Sequence, residues 1–184
     1  GTPGTVVSSP DNKHVYALTR FIRTYHRNPI TGTSPSLTRG DDDLMVDTWY
    51  EYVHNAAISP DGKFLYGTGV NKNERKIWYW ERNASTGSLT YAGTVTMLHN
   101  TEQSKGLVIS SDGMHLYALL PTWAKVVHYK RNRMTGALYD EHTYSGSGSA
   151  VSLDFALSPD GRNFILGDRG GGGSSNSHNQ KIMY

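Results

Sequence analysis

Charged and titratable side chains recur at two corresponding positions of a repeat that runs through this chain. The first position holds His54 and Lys105, with Asp154 one residue further on in a later repeat, and the second position holds Arg20 and Arg169. Histidine exchanges protons near neutral pH, whereas lysine and arginine bind carboxylates and phosphates. These residue types are therefore suited to proton transfer on a small anion, provided that the fold brings them together.

The repeat is marked by a short phrase in which an aspartate follows a serine after one intervening residue. Its four copies are Ser9-Pro10-Asp11-Asn12, Ser59-Pro60-Asp61-Gly62, Ser110-Ser111-Asp112-Gly113 and Ser158-Pro159-Asp160-Gly161, and their aspartates are 50, 51 and 48 residues apart. Proline presets φ in this phrase, aspartate can bond its own backbone, and glycine accepts a positive φ. Each copy therefore predicts a tight turn, which we call the Ser-x-Asp turn.

Each repeat predicts four short strands separated by turns. In the second repeat the predicted strands are Asn55 to Ile58, Phe64 to Thr68, Lys76 to Arg82 and Leu89 to Met97, with a loop at Val70 to Arg75. β-Branched and aromatic residues fill these runs, and no segment keeps a helical period. A repeated four-stranded antiparallel unit of about fifty residues is typical of a β-propeller blade, so the fold class is all-β.

The number of repeats predicts only part of a propeller. We expect residues 1–184 to form blades at 4–50, 51–101, 102–149 and 150–184, of which the last is incomplete. Propellers protect their sheet edges by closing the ring. We therefore expect the remainder of a longer chain, or a second copy of this chain, to close the ring; a closed four-bladed propeller is the alternative.

Blade topology places the two recurring positions at one end of the sheets. The innermost strand runs into the Ser-x-Asp turn and the next strand runs back, so residues about seven before and nine after the aspartate meet at the opposite face, near the axis. In the four repeats, the position seven before the aspartate holds Gly4, His54, Lys105 and Leu153. The position nine after the aspartate holds Arg20, Val70, Pro121 and Arg169. We call this end of the blades the rim, and we expect the charged side chains to line it.

Longer phrases point to a known family. The second repeat reads His54-Asn55-Ala56-Ala57-Ile58-Ser59-Pro60-Asp61-Gly62-Lys63-Phe64-Leu65-Tyr66, and the second and third repeats share a Thr-Gly-x-Leu phrase at Thr86 to Leu89 and Thr135 to Leu138. The fourth repeat adds Asp168-Arg169-Gly170. These phrases resemble the lactonase-like seven-bladed propellers, which include propeller-type 6-phosphogluconolactonase and carboxy-muconate lactonizing enzyme.

The resemblance implies about three and a half blades of a seven-bladed ring, with a site at the mouth of its channel. By resemblance, His54 is the acid or base and Asp154 a second proton-transfer group, while Lys105 and Arg169 hold the anionic part of a substrate. Arg20, at the corresponding rim position of the first repeat, is expected to support this anion site. The implied activity is that of a lactonase or a lactonizing isomerase acting on a small anionic lactone. The alternative is a non-catalytic propeller that serves extracellular binding, assembly or scaffolding.

The chain departs from the family pattern at two positions of this site. Lys105 stands where an arginine is usual, and Pro121 stands where the family has a second acidic residue. Lysine lacks the planar fork with which arginine binds a carboxylate through two hydrogen bonds. We therefore expect an anion site that is weaker or differently shaped than in the family.

Composition excludes several other classes of protein. The formal charge is +2, with 18 basic and 16 acidic residues interspersed, so no basic stripe predicts a nucleic-acid partner. The longest apolar run, near Leu116 to Leu120, is too short to span a membrane. Cysteine is absent and the eight histidines have no metal-binding spacing, so we expect neither a metal nor an organic cofactor.

Three further segments carry expectations. Asn83-Ala84-Ser85 matches the N-glycosylation acceptor pattern and favours an extracellular over a cytoplasmic location without fixing it. Asp41 to Asp43 lacks the alternating spacing of a calcium loop and is expected to be a solvated loop. Alternation in Ile77 to Trp80 predicts that this strand packs aromatic residues on both faces, between neighbouring blades; an exposed aromatic surface for sugars or a protein partner is the alternative.

Overall fold

A computed structural model describes residues 4–27, 37–45, 52–71, 74–98, 104–120, 125–145, 152–158, 163–168 and 178–181. Every regular element within these residues is a β-strand, and the strands pair into four antiparallel sheets. The described part of the chain contains no helix that could cross a membrane.

The strands of each sheet follow one another in chain order. The first sheet contains β1 (Thr5–Ser8), β2 (His14–Leu18), β3 (Phe21–Arg27) and β4 (Leu37–Met45). The second contains β5 (Tyr52–Ile58), β6 (Phe64–Asn71), β7 (Glu74–Arg82) and β8 (Leu89–Thr96). The third contains β9 (Gly106–Ile109), β10 (His115–Leu120), β11 (Lys125–Arg131) and β12 (Leu138–Ser145). The fourth contains β13 (Ser152–Leu157), β14 (Asn163–Asp168) and β15 (His178–Lys181).

The first three Ser-x-Asp turns join the first and second strands of their sheets, as predicted. In the second sheet Ser59 Oγ donates to Asp61 Oδ1 (2.6 Å), and the backbone N–H of Phe64 donates to Ser59 Oγ (3.0 Å). Gly62 has the positive φ of 69° that the turn requires, and Asn12 adopts 58° at the same position of the first turn. Local turn chemistry thus sets where each hairpin reverses.

Apolar side chains between neighbouring sheets form the core. Trp78 and Trp80 pack against Tyr16 and Leu18 of the first sheet, whereas Ile77 from the opposite face of β7 packs with residues of the third sheet. This arrangement confirms the prediction from the alternating sequence of β7. Sheets stacked face to face around such cores, with β1, β5, β9 and β13 side by side on the inside, are the blades of a partial β-propeller.

Two loop predictions are wrong, because strand pairing continues into both segments. Val70 to Arg75 was predicted as a loop, but Val70 pairs with Arg75 and Asn71 with Glu74, so that β6 and β7 extend to the rim. The acidic run Asp41 to Asp43 lies within β4, where Asp43 pairs with Arg23 of β3. Backbone hydrogen bonding across the sheet overrides the weak strand preference of these polar residues.

An arginine at the end of the third strand links the second blade to the first. Arg82 donates to Tyr16 Oη (2.9 Å) and to both carboxylate oxygens of Asp11 (2.9 and 2.8 Å) in the first blade. Tyr16 in turn donates to the carbonyl of Gly87 (2.9 Å) in the second blade. These contacts satisfy a buried guanidinium and fix the distance between two sheets.

The same link recurs one blade further on. Arg131 donates to Tyr66 Oη (2.6 Å), Tyr66 donates to the carbonyl of Gly136 (2.7 Å), and Arg131 lies 3.9 Å from the Asp61 carboxylate. In the first blade the corresponding residue is Arg27, which is exposed and donates to Asn12 Oδ1 (3.1 Å). We call Arg82 and Arg131 the interblade arginines.

Candidate active site at the rim

His54 occupies a bulge in the innermost strand of the second blade, at the rim. Val53 pairs with Gly69 and Asn55 with Thr68, so the register shifts at His54 and leaves it without a paired residue. A bulge of this kind redirects a side chain away from the regular alternation of the strand, and bulges are frequent beside active sites. The bulge therefore explains why a polar side chain is placed at the end of an otherwise apolar inner strand.

Hydrogen bonds to both neighbouring blades hold the bulge in place. The N–H of Val53 donates to the carbonyl of Thr19 in the first blade (3.0 Å). On the other side, Asn55 Nδ2 donates to the carbonyl of Ser104 in the third blade (2.8 Å). His54 thus sits between two interblade hydrogen bonds, which position its half-buried imidazole.

Lys105 enters the same site from the third blade. It directly follows Ser104, the residue that Asn55 binds, and its own N–H donates to the carbonyl of Leu119 (2.9 Å). The lysine is exposed, and its charge acts on His54. The structure therefore places Lys105 where its charge acts on His54, and the functional roles of both residues stay predictions.

Arg75 is a third member of the site, and the sequence reasoning missed it. It lies in β7 opposite Val70 of β6, and Val70 in turn pairs with Tyr52 at the start of β5. This row of paired residues runs across the blade at the rim, next to the His54 bulge. A longer alternation of β7 was the signal that could have revealed it, since Arg75, Ile77 and Tyr79 occupy one face of the strand.

The electrostatic environment of His54 is cationic. Burial lowers the pKa of His54, and the positive charges of Lys105 and Arg75 lower it further. No carboxylate among the described residues counteracts the effect of these two positive charges on the pKa of His54. The imidazole is therefore neutral at pH 7 and can accept a proton, while the surrounding charges favour an anion.

Arg20 also lies at the rim, in the short connection between β2 and β3. Its guanidinium carbon is 5.9 Å from the centre of the Phe21 ring, and its Nε is buried without a hydrogen-bond acceptor. The charges that lower the pKa of His54 are those of Lys105 and Arg75, not that of Arg20. Arg20 is thus a rim cation, apart from the pair that acts on the histidine.

The remaining predicted residues are only partly described. The backbone of Asp154 pairs with Gly167 just after a register shift, which is the position that Asn55 occupies in the second blade. The side chain of Asp154, and both Arg169 and Pro121 entirely, lie outside the described residues.

The predicted glycosylation acceptor lies in a surface turn. Asn83 is exposed in the turn before β8, where its Oδ1 accepts the N–H groups of Ser85 (2.9 Å) and Thr86 (3.1 Å). Its glycosylation stays a prediction.

Across the described ranges, no three histidine, aspartate or glutamate side chains are grouped so that they could hold a metal ion.

Comparisons with solved structures show what the fold resembles. One similar structure is a Bacteroides uniformis protein described as a candidate 6-phosphogluconolactonase, with a TM-score of 0.75 and 18% identity. The match covers 96% of this chain and 53% of the Bacteroides uniformis chain. Another is the periplasmic gluconolactonase PpgL of Pseudomonas aeruginosa, with a TM-score of 0.71 and 19% identity. The match covers 97% of this chain and 52% of the PpgL chain. At these identities the likeness shows the fold, and the chain spans about half the length of these structures.

Sequence comparison gives the family. A search of curated proteins returned no match. The family model described as lactonase, seven-bladed beta-propeller, matches residues 43–155, which include His54, Arg75 and Lys105. The matched segment is more than half of the 184 residues. This chain therefore belongs to the lactonase family of seven-bladed β-propellers.

Proposed function

We propose that the rim of this propeller opens or forms a small anionic lactone, with His54 as the proton-transfer group. The observation that carries the proposal is the placement of His54, a half-buried and neutral imidazole held at a bulge beside Lys105 and Arg75. A neutral histidine can act as a general base at pH 7, and adjacent cations can hold an anionic substrate.

In the hydrolytic direction, His54 takes a proton from water as the water oxygen attacks the lactone carbonyl. The ring C–O bond then breaks, and the leaving oxygen takes the proton back from the imidazolium. Nearby cations stabilise the negative oxygen that develops on the carbonyl. The products are one hydroxy acid and an unchanged histidine, and the reverse sequence closes the lactone.

The other predicted residues have supporting roles in this proposal. Lys105, Arg169 and Arg20 hold the anionic part of the substrate, and Asp154 assists proton transfer in place of the acidic residue that Pro121 replaces. Similar structures include a gluconolactonase, so the substrate class that we propose is a lactone of a sugar acid.

We also propose that a further blade covers the open face of the first sheet, contributed by the rest of the ring or by a second copy. Val6 on that face is 67% exposed, although the corresponding Ala56 of the second blade packs against its neighbour. Arg27 has the position of an interblade arginine with no aspartate or tyrosine of a preceding blade beside it among the described residues.

The proposal on catalysis is tested by measuring lactone opening with the full-length protein. Proton release from glucono-δ-lactone and its 6-phosphate is compared for the wild type, His54→Gln and, as a matched control, His142→Gln on the exposed outer strand β12. Removing the base should lower kcat by about 100-fold or more, because general base catalysis contributes roughly that factor.

The outcomes separate the two candidate functions. Loss of activity in His54→Gln with normal activity in His142→Gln supports catalysis at the rim. A wild type that opens neither lactone, or a His54→Gln variant as active as the wild type, contradicts the proposal and favours the binding or scaffolding alternative.

A further inference from the structure

Arg75 is a half-buried cation whose guanidinium has no acidic partner in the described part of the chain. The adjacent carboxylate of Glu74 pairs with Lys76 instead, at 3.1 Å. Arg75 Nε is buried and has no hydrogen-bond acceptor. A buried donor without an acceptor costs free energy, so an acceptor supplied from outside the protein would be bound favourably.

Arg75 itself lies at the rim. The ladder that joins Tyr52, Val70 and Arg75 crosses the blade at the level where β5 begins, two residues before the His54 bulge. The positive charge of Arg75 acts on His54 together with that of Lys105. Three groups from β5, β7 and the start of the third blade thus share one electrostatic environment.

The two cations differ in what they can offer an anion. Lys105 is exposed and presents a compact point charge on a flexible stem, which attracts an anion without fixing its orientation. Arg75 presents a planar fork of N–H donors from a strand, with less freedom to move. Arg75 therefore offers, from another strand of the neighbouring blade, the planar fork that Lys105 lacks.

We propose that Arg75 binds the anionic group of the ligand at the rim, donating paired hydrogen bonds to an oxyanion, either a carboxylate or a phosphate, that Lys105 attracts. This inference rests on the proposed function for its location beside His54. Lys105 attracts the anion and Arg75 orients it, so that the lactone carbonyl to be attacked is presented to the imidazole of His54.

A purely structural role for Arg75 makes a different prediction. Its backbone carbonyl accepts the N–H of Met97 (2.9 Å), a contact that any residue at this position can make. If packing of the stem were its only contribution, substitution would change stability and leave anion binding intact. Measuring both quantities therefore separates the two roles.

The test uses NMR signals of the His54 ring in the full-length protein. Sodium phosphate and sodium acetate are titrated in separate experiments at constant ionic strength, with chloride as the balancing anion. Wild type, Arg75→Gln, Arg75→Lys and the control Arg133→Gln are compared. Arg133 is an exposed arginine in the turn before β12, at the end of the blade opposite the rim.

Saturable binding of phosphate or acetate by the wild type is expected, with an affinity at least about tenfold lower in Arg75→Gln, because a bidentate charged contact is lost. Arg75→Lys keeps the charge but not the fork, so a smaller loss is expected. Arg133→Gln should bind as the wild type does. The preferred anion identifies the ligand as a phosphate or a carboxylate.

Two results would overturn the inference: no saturable effect of either anion on His54, or unchanged affinity in Arg75→Gln. Thermal unfolding of each variant shows whether the comparison is made between folded proteins, and Arg75→Lys serves if Arg75→Gln does not fold. Anion binding that depends on Arg75 without lactone opening would refute the proposed catalysis alone. Lactone opening with full anion affinity in Arg75→Gln would refute this inference alone.

Discussion

At the scale of single residues, the protonation of His54 is set by its neighbours. Burial removes water from the imidazole, and Lys105 and Arg75 add positive charge nearby, so both effects oppose its protonated form. The result is a pKa below the ordinary value of 6.5. The neutral form therefore predominates at physiological pH, as the proposed role of general base requires.

Replacing Lys105 should raise the pKa of His54. In Lys105→Ala one of the two charges that disfavour protonation is removed, so the acid limb of a pH–activity profile should move to higher pH. The measurement is a pH titration of the His54 ring signals, supported by kcat/KM between pH 5 and 8.

The control for this substitution is Lys63→Ala, which removes one exposed lysine from a Ser-x-Asp turn at the opposite end of the blade. It should leave the titration of His54 unchanged. Equal titration curves for wild type and Lys105→Ala would show that Lys105 does not act on His54.

At the scale of elements, the interblade arginines determine how neighbouring sheets meet. The side chain of Arg82 is 1% exposed, and its partner Asp11 is 31% exposed. Burial works against the ionised carboxylate, but hydrogen bonds from Ser9 and Arg82 outweigh it and hold the pKa of Asp11 well below its usual range. Arg82 also donates to His14 Nδ1 (2.7 Å), so that one arginine organises three side chains of the preceding blade.

The substitution Arg82→Met should destabilise the protein by about 3 kcal/mol, the lower part of the range for breaking a buried ion pair, because Asp11 keeps partial access to water. Urea unfolding measures the effect. Arg133→Met, at an exposed site, should change stability by less than about 0.5 kcal/mol. Similar values for the two variants would contradict a structural role for Arg82.

The corresponding variant Arg27→Met reports on closure of the ring. If a further blade covers the first sheet, as proposed, Arg27 is an interblade arginine as well and its loss should cost about as much as that of Arg82. An effect as small as that of Arg133→Met would show that this face is open.

At the scale of the whole molecule, stability should fall in two stages as the pH is lowered. Burial lowers the pKa of His128 to about 4, and nearby His115 and His142 contribute. Burial likewise lowers the pKa of His14 and His115. Below about pH 6.5 the unfolded chain therefore binds protons that the folded chain does not bind. The free energy of unfolding consequently declines from that pH toward pH 4.

The second stage comes from the Ser-x-Asp turns. For Asp61 and Asp112, burial alone would raise the pKa, but hydrogen bonds from the turn serine and from the backbone lower it, as at Asp11. These carboxylates remain ionised in the folded protein below the ordinary pKa of 3.8, so their stabilising contribution is lost as the pH falls through the lowered values.

Urea unfolding at pH 7.5, 5.5, 4.5 and 3 should therefore show a decrease at each step. In His128→Phe the decrease between pH 7.5 and 4.5 should be smaller than in wild type, because one of the buried histidines no longer titrates. An unchanged pH dependence in this variant would show that His128 is not a source of the first stage.

Much of the fold could be predicted because its signals are local or periodic. The phrase around Asp61 specifies a turn through its own side chains, and alternation in Ile77 to Trp80 specifies two buried faces. The strand ends were less predictable: Val70 to Arg75 contains a polar run, and whether it pairs depends on the ladder of the whole sheet. That error concealed Arg75, and with it one of the two charges that act on His54.

The sequence alone determined the repeat, the turns and the all-β architecture, since each follows from residues close together in the chain. It also predicted that His54 and Lys105 share one rim, because a repeat near fifty residues makes their positions equivalent. Only the tertiary structure decided that a bulge redirects His54, that Asn55 ties it to the next blade and that Arg75 joins the site. These features arise from hydrogen bonds and charges between strands that are distant in sequence, and no local pattern encodes them.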